Sequence, residues 1–225
     1  NPEISRVVRE AHDDAVRSAL DYLERHATWT RRGRGGIEQL RVEGIVAASF
    51  RHRTSRAGDP HLHTHVVVAN TALGADGVWA TLAARHFYGN AKTIGHLYEA
   101  ELRHLLTQRL GVRWGEVRNG IADIDGVPTS LMATLSTRRA QIEEAMDIRG
   151  QHSARAAQIA TLTTRRTKAV DVDAHALMAS WTKTAAAHGL GLDAVVGLLG
   201  REQPAPFDMR EQITIEQHLL GEEGL

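Results

Sequence analysis

The sequence predicts an α+β fold in which an antiparallel β-sheet packs against helices and is followed by a helical region. Apolar residues recur at helical spacing over residues 2–26 and 82–110, which predicts two long helices. Two runs rich in β-forming residues, 42–52 and 61–70, flank a turn and predict a pair of antiparallel strands. Beyond Pro128 the pattern is helical throughout.

The composition narrows the possible environments and chemistries. The 225-residue chain has no cysteine, so disulfides and thiolate metal sites are excluded and any metal must use His, Asp or Glu. No apolar run approaches the roughly 18 residues that a bilayer-spanning helix needs, so we expect a soluble protein without a membrane partner, and the lack of cysteine fits a cytoplasmic location. A net charge of zero gives no global sign of a nucleic-acid binder, although some segments are locally basic.

The first third of the chain alternates helix, loop and strand. The helix opens at Asn1-Pro2-Glu3 and should end near His26. The segment TRRGRGG, residues 30–36, is typical of a flexible hairpin tip, and its Arg31, Arg32 and Arg34 suit contact with DNA phosphates, although a solvated loop is the alternative. The following run, 42–52, predicts a buried strand with Val46, Ala48, Phe50 and His52 on one face.

The rest of the chain divides into short elements. Strands are predicted at 112–118 and 120–124 around a turn at Asn119-Gly120, and helices at 131–135, 137–149, 154–164, 174–188 and 208–220. We therefore expect a domain of antiparallel sheet and packed helices over residues 1–126, a helical region over 127–190 and a C-terminal helical tail or linker over 191–225.

Three histidines stand at alternate positions in DPHLHTHVVVAN, residues 59–70. Because side chains alternate faces along a strand, His63 and His65 point the same way and lie roughly 7 Å apart. Two imidazoles on one strand need a third ligand from nearby to form a three-ligand metal site. His52, which ends the preceding strand, and His61, which shares the parity of the pair, are the two candidates. Three imidazoles do not distinguish Mg, Mn, Zn and Ni.

The run FRHRTSRAGDPHLHTHVVVAN, residues 50–70, closely resembles the metal-binding motif of the TrwC/TraI-type (MobF) conjugative relaxases of the HUH endonuclease superfamily. In that family one His lies eleven residues before an H-x-H pair, and the matching positions here are His52, His63 and His65. The segments LYEAELRHLLTQRL, residues 97–110, and STRR, residues 136–139, are also similar. The resemblance covers roughly residues 1–190.

This resemblance implies a sheet-based palm and a fingers-like helical region, 127–190, that covers single-stranded DNA. It implies nicking at a transfer origin, in which a tyrosine hydroxyl attacks a phosphodiester and forms a 5′-phosphotyrosyl intermediate. A divalent metal ion on His52, His63 and His65 would polarise the scissile phosphate. Arg51, Arg53 and Arg56 would hold the flanking phosphates, or alternatively form a solvated turn.

The tyrosines depart from the family pattern. Tyr22, Tyr88 and Tyr98 are the three in this sequence, none matches the nucleophile of the family, and we interpret all three as structural. We therefore expect a relaxase fragment that lacks the N-terminal segment with the catalytic tyrosines and is inactive alone. An exposed sheet edge would favour self-association or a complementing N-terminal segment.

Two alternatives remain open from the sequence. One is a non-catalytic remnant that keeps affinity for single-stranded DNA, which the missing tyrosine favours. The other is a cupin-like metal enzyme, which also places H-x-H on a strand. Strands in the region 80–110 would favour the cupin interpretation.

Overall fold

Two long helices, α1 (Pro2–Ala27) and α2 (Arg85–Leu110), pack together in the computed structural model, which describes residues 1–164 and 173–201. The Asn1 side chain caps α1 by accepting a hydrogen bond from the Glu3 amide, and Pro2 occupies the first turn, where no intrahelical amide bond is lost. Helix α2 ends at Gly111, whose left-handed φ of 63° suits glycine. Both helices lie where the sequence predicts them.

Small side chains on α1 let the two helices approach closely. Ala11 and Ala15 are fully buried, and Ala11 packs against Leu105 and Leu106 of α2 and against Val112. Alanine leaves little side-chain volume between helix axes and loses no side-chain entropy on burial. The α1–α2 pair is therefore closely packed, and His12 and Asp13 of α1 contact the antiparallel hairpin formed by residues 47–68.

The strands form three two-stranded antiparallel sheets among the described residues. Strand β1 (Trp29–Arg32) pairs with β2 (Glu38–Arg41) around a 3-10 turn at Arg34–Gly36, as the glycine-rich tip predicts. Strand β3 (Ala47–Thr54) pairs with β4 (Pro60–Val68), which confirms the predicted antiparallel pair. Strand β5 (Ala72–Leu73) pairs with β6 (Trp79–Ala80), and these two-residue strands are too short for an alternating pattern to reveal.

Two strand predictions need correction. The run 42–52 is not a buried strand: β3 begins at Ala47, and Val46 and Phe50 are 60% and 53% exposed, because none of the described elements covers that face. The segments 112–118 and 120–124 form two isolated bridges, Trp114 with Ile124 and Arg118 with Ile121, rather than strands. The predicted turn is present, with Asn119 and Gly120 both at positive φ.

Beyond Pro128, helices account for most of the described residues. They are α3 (Thr129–Thr134), α4 (Thr137–Ile148), α5 (Ala154–Thr163), α6 (Ala174–Ala187) and α7 (Leu192–Val196), of which the sequence did not predict α7. The helix predicted at 208–220 lies outside the described residues. Within the described residues, no helix combines the length and apolar character needed to cross a membrane. The domain boundaries near 126 and 190 stay predictions.

Candidate metal and nucleic-acid site

The histidines gather on one face of the β3–β4 hairpin. In the strand register His52 is opposite His63, and Phe50 is opposite His65. The ring centres lie 5.3 Å apart for His52 and His63, 5.1 Å for His52 and His65, and 5.0 Å for His63 and His65. The three rings therefore form a nearly equilateral triangle, as strand alternation and antiparallel pairing predict.

The geometry also bears on the choice between His52 and His61 as third ligand. His52 contacts both members of the H-x-H pair, whereas His61 precedes the pair on β4 and stacks on His63 with ring centres 4.5 Å apart. Burial lowers the pKa of His61, and the nearby His63 lowers it further. The triangle that includes His52 is the more compact set around a single point.

The distances between these three rings fit a shared cation, but the ring orientations do not point their nitrogens at a common point. Nitrogen ligands bind Zn²⁺ at about 2.0–2.1 Å, which would hold three ring centres about 5 Å apart. His63 Nδ1 lies 2.9 Å from the His61 carbonyl oxygen, a contact that leaves Nε2 for a ligand. However, no group of three or more His, Asp or Glu side chains in the described part of the chain is arranged to hold a metal ion. The His52 and His63 rings lie only 21° from parallel, so side-chain rotation is needed for their in-plane lone pairs to converge.

A buried polar network lies on the opposite face of the same hairpin. His12 of α1 is 2% exposed, and both of its ring nitrogens have partners: Nδ1 is 2.8 Å from the Tyr98 hydroxyl, and Nε2 is 2.7 Å from Oγ1 of Thr64. Burial lowers the pKa of His12 and raises the pKa of Tyr98 to about 12. Sequence reasoning missed His12, which lies outside the histidine motif. Its one signal was its place on the alanine stripe that faces α2.

The arginines beside the histidine motif fall into two groups. Arg51 forms an ion pair with Asp13 of α1, so it faces the helix and points away from the histidines. Arg53 and Arg56 are exposed. Strand alternation explains the position of Arg51, because it precedes His52 by one residue.

The arginines of the β1–β2 hairpin divide in the same way. The Arg32 guanidinium donates to both carboxylate oxygens of Asp76, at 2.7 and 2.8 Å, and to the Val78 carbonyl oxygen. Its side chain is only 16% exposed, so Arg32 ties this hairpin to the β5–β6 connection. Arg31 and Arg34 are exposed. Of the three arginines of this hairpin predicted to contact phosphate, these two are therefore the exposed ones.

The turn of the β3–β4 hairpin is held by the helical region. The Asp59 side chain is nearly buried, and its Oδ2 accepts hydrogen bonds from the Ser55 hydroxyl at 2.9 Å and from the Arg138 amide at 3.1 Å. Arg138 lies in the first turn of α4, where the Ser136 side chain makes no capping bond, so Asp59 caps this helix from 79 residues away. The Trp181 indole of α6 donates to the Gly58 carbonyl oxygen at 2.9 Å.

The three tyrosines lie on α1 and α2 and have different surroundings. Tyr98 belongs to the buried network behind the hairpin, and its raised pKa keeps the hydroxyl protonated. Tyr22 stacks on His26 within α1. Tyr88 is 82% exposed in the first turn of α2, so the interpretation as a packing residue has no support there. It lies ten residues before Tyr98, about 15 Å along the helix axis.

A helix-backed antiparallel hairpin with a triangle of histidine rings on one face is the α+β arrangement that the resemblance to the HUH endonucleases implies. The family description "TrwC relaxase" matches residues 1–188, and the chain belongs to this family. The helix at 85–110 removes the strands on which the cupin-like alternative depended.

Known relatives agree with this assignment. The multifunctional conjugation protein TraI of Escherichia coli is 32% identical over 194 residues, which are 82% of this chain and 11% of TraI. A metal-free structure of the conjugative relaxase TrwC in complex with oriT DNA superposes with a TM-score of 0.74 at 31% identity, covering 81% of this chain and 66% of that one. A metal-bound TrwC structure gives 0.72 at 32% identity, covering 82% and 65%.

These matches cover most of this chain but only part of each relative. The chain spans about a tenth of the curated TraI protein and about two thirds of the solved TrwC chains. Metal-bound and metal-free forms both occur among the TrwC structures, one of them with copper.

Proposed function

We propose that the chain provides the metal-binding palm of a conjugative relaxase, which processes single-stranded DNA at a transfer origin. The observation that carries this proposal is the triangle of His52, His63 and His65 on the open face of the β3–β4 hairpin. These are also the three positions that match the histidine motif of the family to which the chain belongs.

The chemistry of the donor set supports a role in phosphodiester cleavage. A divalent cation bound there supplies a Lewis acid that polarises the scissile phosphate. Because neutral imidazoles add no charge, they leave such a cation its full attraction for an anionic transition state. The contact from His63 Nδ1 to the His61 carbonyl oxygen orients one ligand. The metal is Mg, Mn, Zn or Ni, and the histidines accept each of them.

Exposed arginines extend the proposed DNA surface beyond the metal site. Arg53 and Arg56 lie at the end of the histidine hairpin, and Arg31 and Arg34 lie on the β1–β2 hairpin. Guanidinium groups bind phosphate with two parallel hydrogen bonds, which fixes the path of a DNA strand without reading its sequence. Arg32 and Arg51 instead contribute by holding the two hairpins in place.

We further propose that the attacking tyrosine comes from polypeptide outside these 225 residues and that the chain alone does not nick. The supporting observations are that Tyr22, Tyr88 and Tyr98 lie on α1 and α2 rather than on the histidine hairpin, that the Tyr98 hydroxyl is engaged by His12, and that none of the three matches the nucleophile of the family. The second candidate function is single-stranded DNA binding without cleavage. It draws on the same observations, and a cleavage assay separates the two.

Metal titration tests the histidine site directly. Isothermal titration of Mn²⁺ or Zn²⁺ into the chain should show one site, and His63→Ala and His65→Ala should each abolish it. His61→Ala is the matched control, because it removes a neighbouring imidazole of the same face and should leave binding within about threefold of the unsubstituted chain. Unchanged affinity in His63→Ala would exclude the three-histidine site.

Cleavage in trans tests the source of the nucleophile. A labelled single-stranded oligonucleotide from the transfer origin of the genetic element that carries the gene would be incubated with Mg²⁺ or Mn²⁺. The chain would be present alone or together with the polypeptide encoded immediately upstream. Cleavage only in the mixture supports an external tyrosine. Cleavage by the chain alone would show that one of its own tyrosines attacks, and DNA binding without cleavage in either case would favour the non-catalytic function.

A further inference from the structure

We propose that His12 is a positioning residue, which holds strand β4 on the α1–α2 pair and thereby sets the spacing of the metal-binding histidines. This inference rests on the proposed metal site and adds a residue to it. His12 lies on α1, forty residues before His52, and it is not part of the histidine motif.

The contact between His12 and β4 falls at the centre of the H-x-H pair. Thr64 is the residue between His63 and His65, so its side chain points to the opposite face of the strand. Its hydroxyl meets His12 Nε2 at 2.7 Å, and His12 itself is 2% exposed. A displacement of Thr64 would move both ligands, because the three residues are consecutive on one strand.

A second contact fixes the adjacent strand at the same level. Arg51 is the cross-strand partner of Thr64, and it forms an ion pair with Asp13, the residue after His12. The next pair along the hairpin is His52 with His63. His12 and Asp13, which are consecutive on α1, therefore hold β4 and β3 from behind. The Arg51–Thr64 pair that they contact is next to the His52–His63 pair in the strand register.

The far side of His12 is anchored to α2. Its Nδ1 is 2.8 Å from the Tyr98 hydroxyl, and the two rings meet edge to face at 5.6 Å between centres. A neutral imidazole has one donor and one acceptor nitrogen, so it can bridge two hydroxyls, whereas an aliphatic side chain of similar size would leave both hydroxyls unpaired. Burial lowers the pKa of His12, which keeps it in this neutral form at neutral pH. The bond to Tyr98 thus occupies the second ring nitrogen of His12, whereas the bond to Thr64 is the one that reaches the ligand strand.

Cobalt binding offers a test, because Co²⁺ reports both affinity and ligand geometry through its visible absorption. Thr64→Val removes the hydroxyl at nearly constant volume, and we expect it to weaken Co²⁺ binding about tenfold or more and to alter the visible spectrum, as loss of outer ligand contacts does in other metal sites. Thr64→Ser restores a hydroxyl and should bind within about threefold of the unsubstituted chain. Should Thr64→Val fail to fold by circular dichroism, Thr64→Ala replaces it with the same expectation.

Tyr98→Phe is the control that separates positioning from general stability. It breaks the other hydrogen bond of His12 but leaves the Thr64 contact, so it should lower the melting temperature while keeping Co²⁺ affinity within about threefold. His104→Gln, at an exposed position on α2, should change neither quantity. An equal loss of affinity in Tyr98→Phe and Thr64→Val would overturn the inference, because metal binding would then follow stability alone.

The outcomes also separate this inference from the metal site itself. Absence of Co²⁺ binding by the unsubstituted chain would overturn both. Binding by the unsubstituted chain that Thr64→Val leaves unchanged in affinity and spectrum would overturn the role of His12 alone.

Discussion

The cap that Asp59 provides for α4 predicts a large loss of stability when its carboxylate is removed. Oδ2 of Asp59 accepts one hydrogen bond from the Arg138 amide and one from the Ser55 hydroxyl. In Asp59→Ala the Arg138 amide, in the first turn of α4, loses its hydrogen-bond acceptor. The Ser55 hydroxyl loses the same acceptor. The helix N-terminus also loses a nearby negative charge, which its dipole favours.

The size of the loss follows from the two contacts. Loss of a helix cap costs about 0.5–2 kcal/mol, and loss of a hydrogen bond to a charged group costs about 1.5–3 kcal/mol. We therefore expect the free energy of unfolding to fall by about 3 kcal/mol in Asp59→Ala. For a chain of this size, about 2–4 °C per kcal/mol gives a drop in melting temperature of about 6–12 °C.

Thermal unfolding followed by circular dichroism at pH 7 measures this drop. Asp59→Asn, which keeps one oxygen acceptor, should lose about half as much. Asp147→Ala, in the last turn of the same helix and 71% exposed, should shift the melting temperature by less than about 1 °C. A shift in Asp59→Ala as small as that of Asp147→Ala would refute the capping role.

Three further predictions concern other contacts. Burial lowers the pKa of His12 and His61 below 6.5, so the unfolded chain binds more protons than the folded chain just below that pH. The free energy of unfolding should therefore be highest above pH 6.5 and should fall as the pH drops towards 5. The fall should be smaller in His12→Gln. A pH-independent melting temperature would contradict this. Arg34→Gln should weaken binding of single-stranded DNA and reduce the slope of log K against log salt by about 0.7, measured by fluorescence anisotropy; an unchanged slope would exclude a phosphate contact. Trp181→Phe removes the hydrogen bond to the Gly58 carbonyl oxygen and should cost about 1 kcal/mol in thermal unfolding, whereas unchanged stability would show that this bond is dispensable.

The ligand face of the hairpin could be predicted because it depends on local rules. Alternation along a strand puts His63 and His65 on one side, and a short turn makes antiparallel pairing the simplest connection to the strand that ends in His52. The structure confirms both features. Whether the imidazoles hold a metal depends on their rotations, which strand geometry does not determine, and that remains a proposal.

The residues behind the hairpin could not be predicted, because their partners are distant in the sequence. His12 meets Thr64 and Tyr98, which lie 52 and 86 positions away. An isolated histidine on an apolar helix face is compatible with many neighbours, so periodicity alone assigned it no role. The arginines show the same limit: Arg32 is occupied by Asp76, 44 positions later, and composition made it look available to DNA.

The exposure of the histidine face was also unexpected from sequence. Alternating and apolar residues such as Val46 and Phe50 predict burial, yet burial requires a covering element as well as an apolar side chain. Among the described residues this face remains open, with Phe50 opposite His65. The sequence pattern therefore predicts the strand correctly, but it does not show whether another element covers the face that carries Phe50.

The contact between the hairpin turn and α6 sets an order on biosynthesis. Trp181 and Gly58 are 123 residues apart, so at about 5–20 residues per second the indole is synthesised about 6–25 s after the carbonyl that it covers. The two strands of the hairpin pair with each other within residues 47–68, from Ala47 with Val68 to Thr54 with Pro60. On the ribosome, all three histidines of the hairpin are therefore synthesised well before the helical region that contacts its turn.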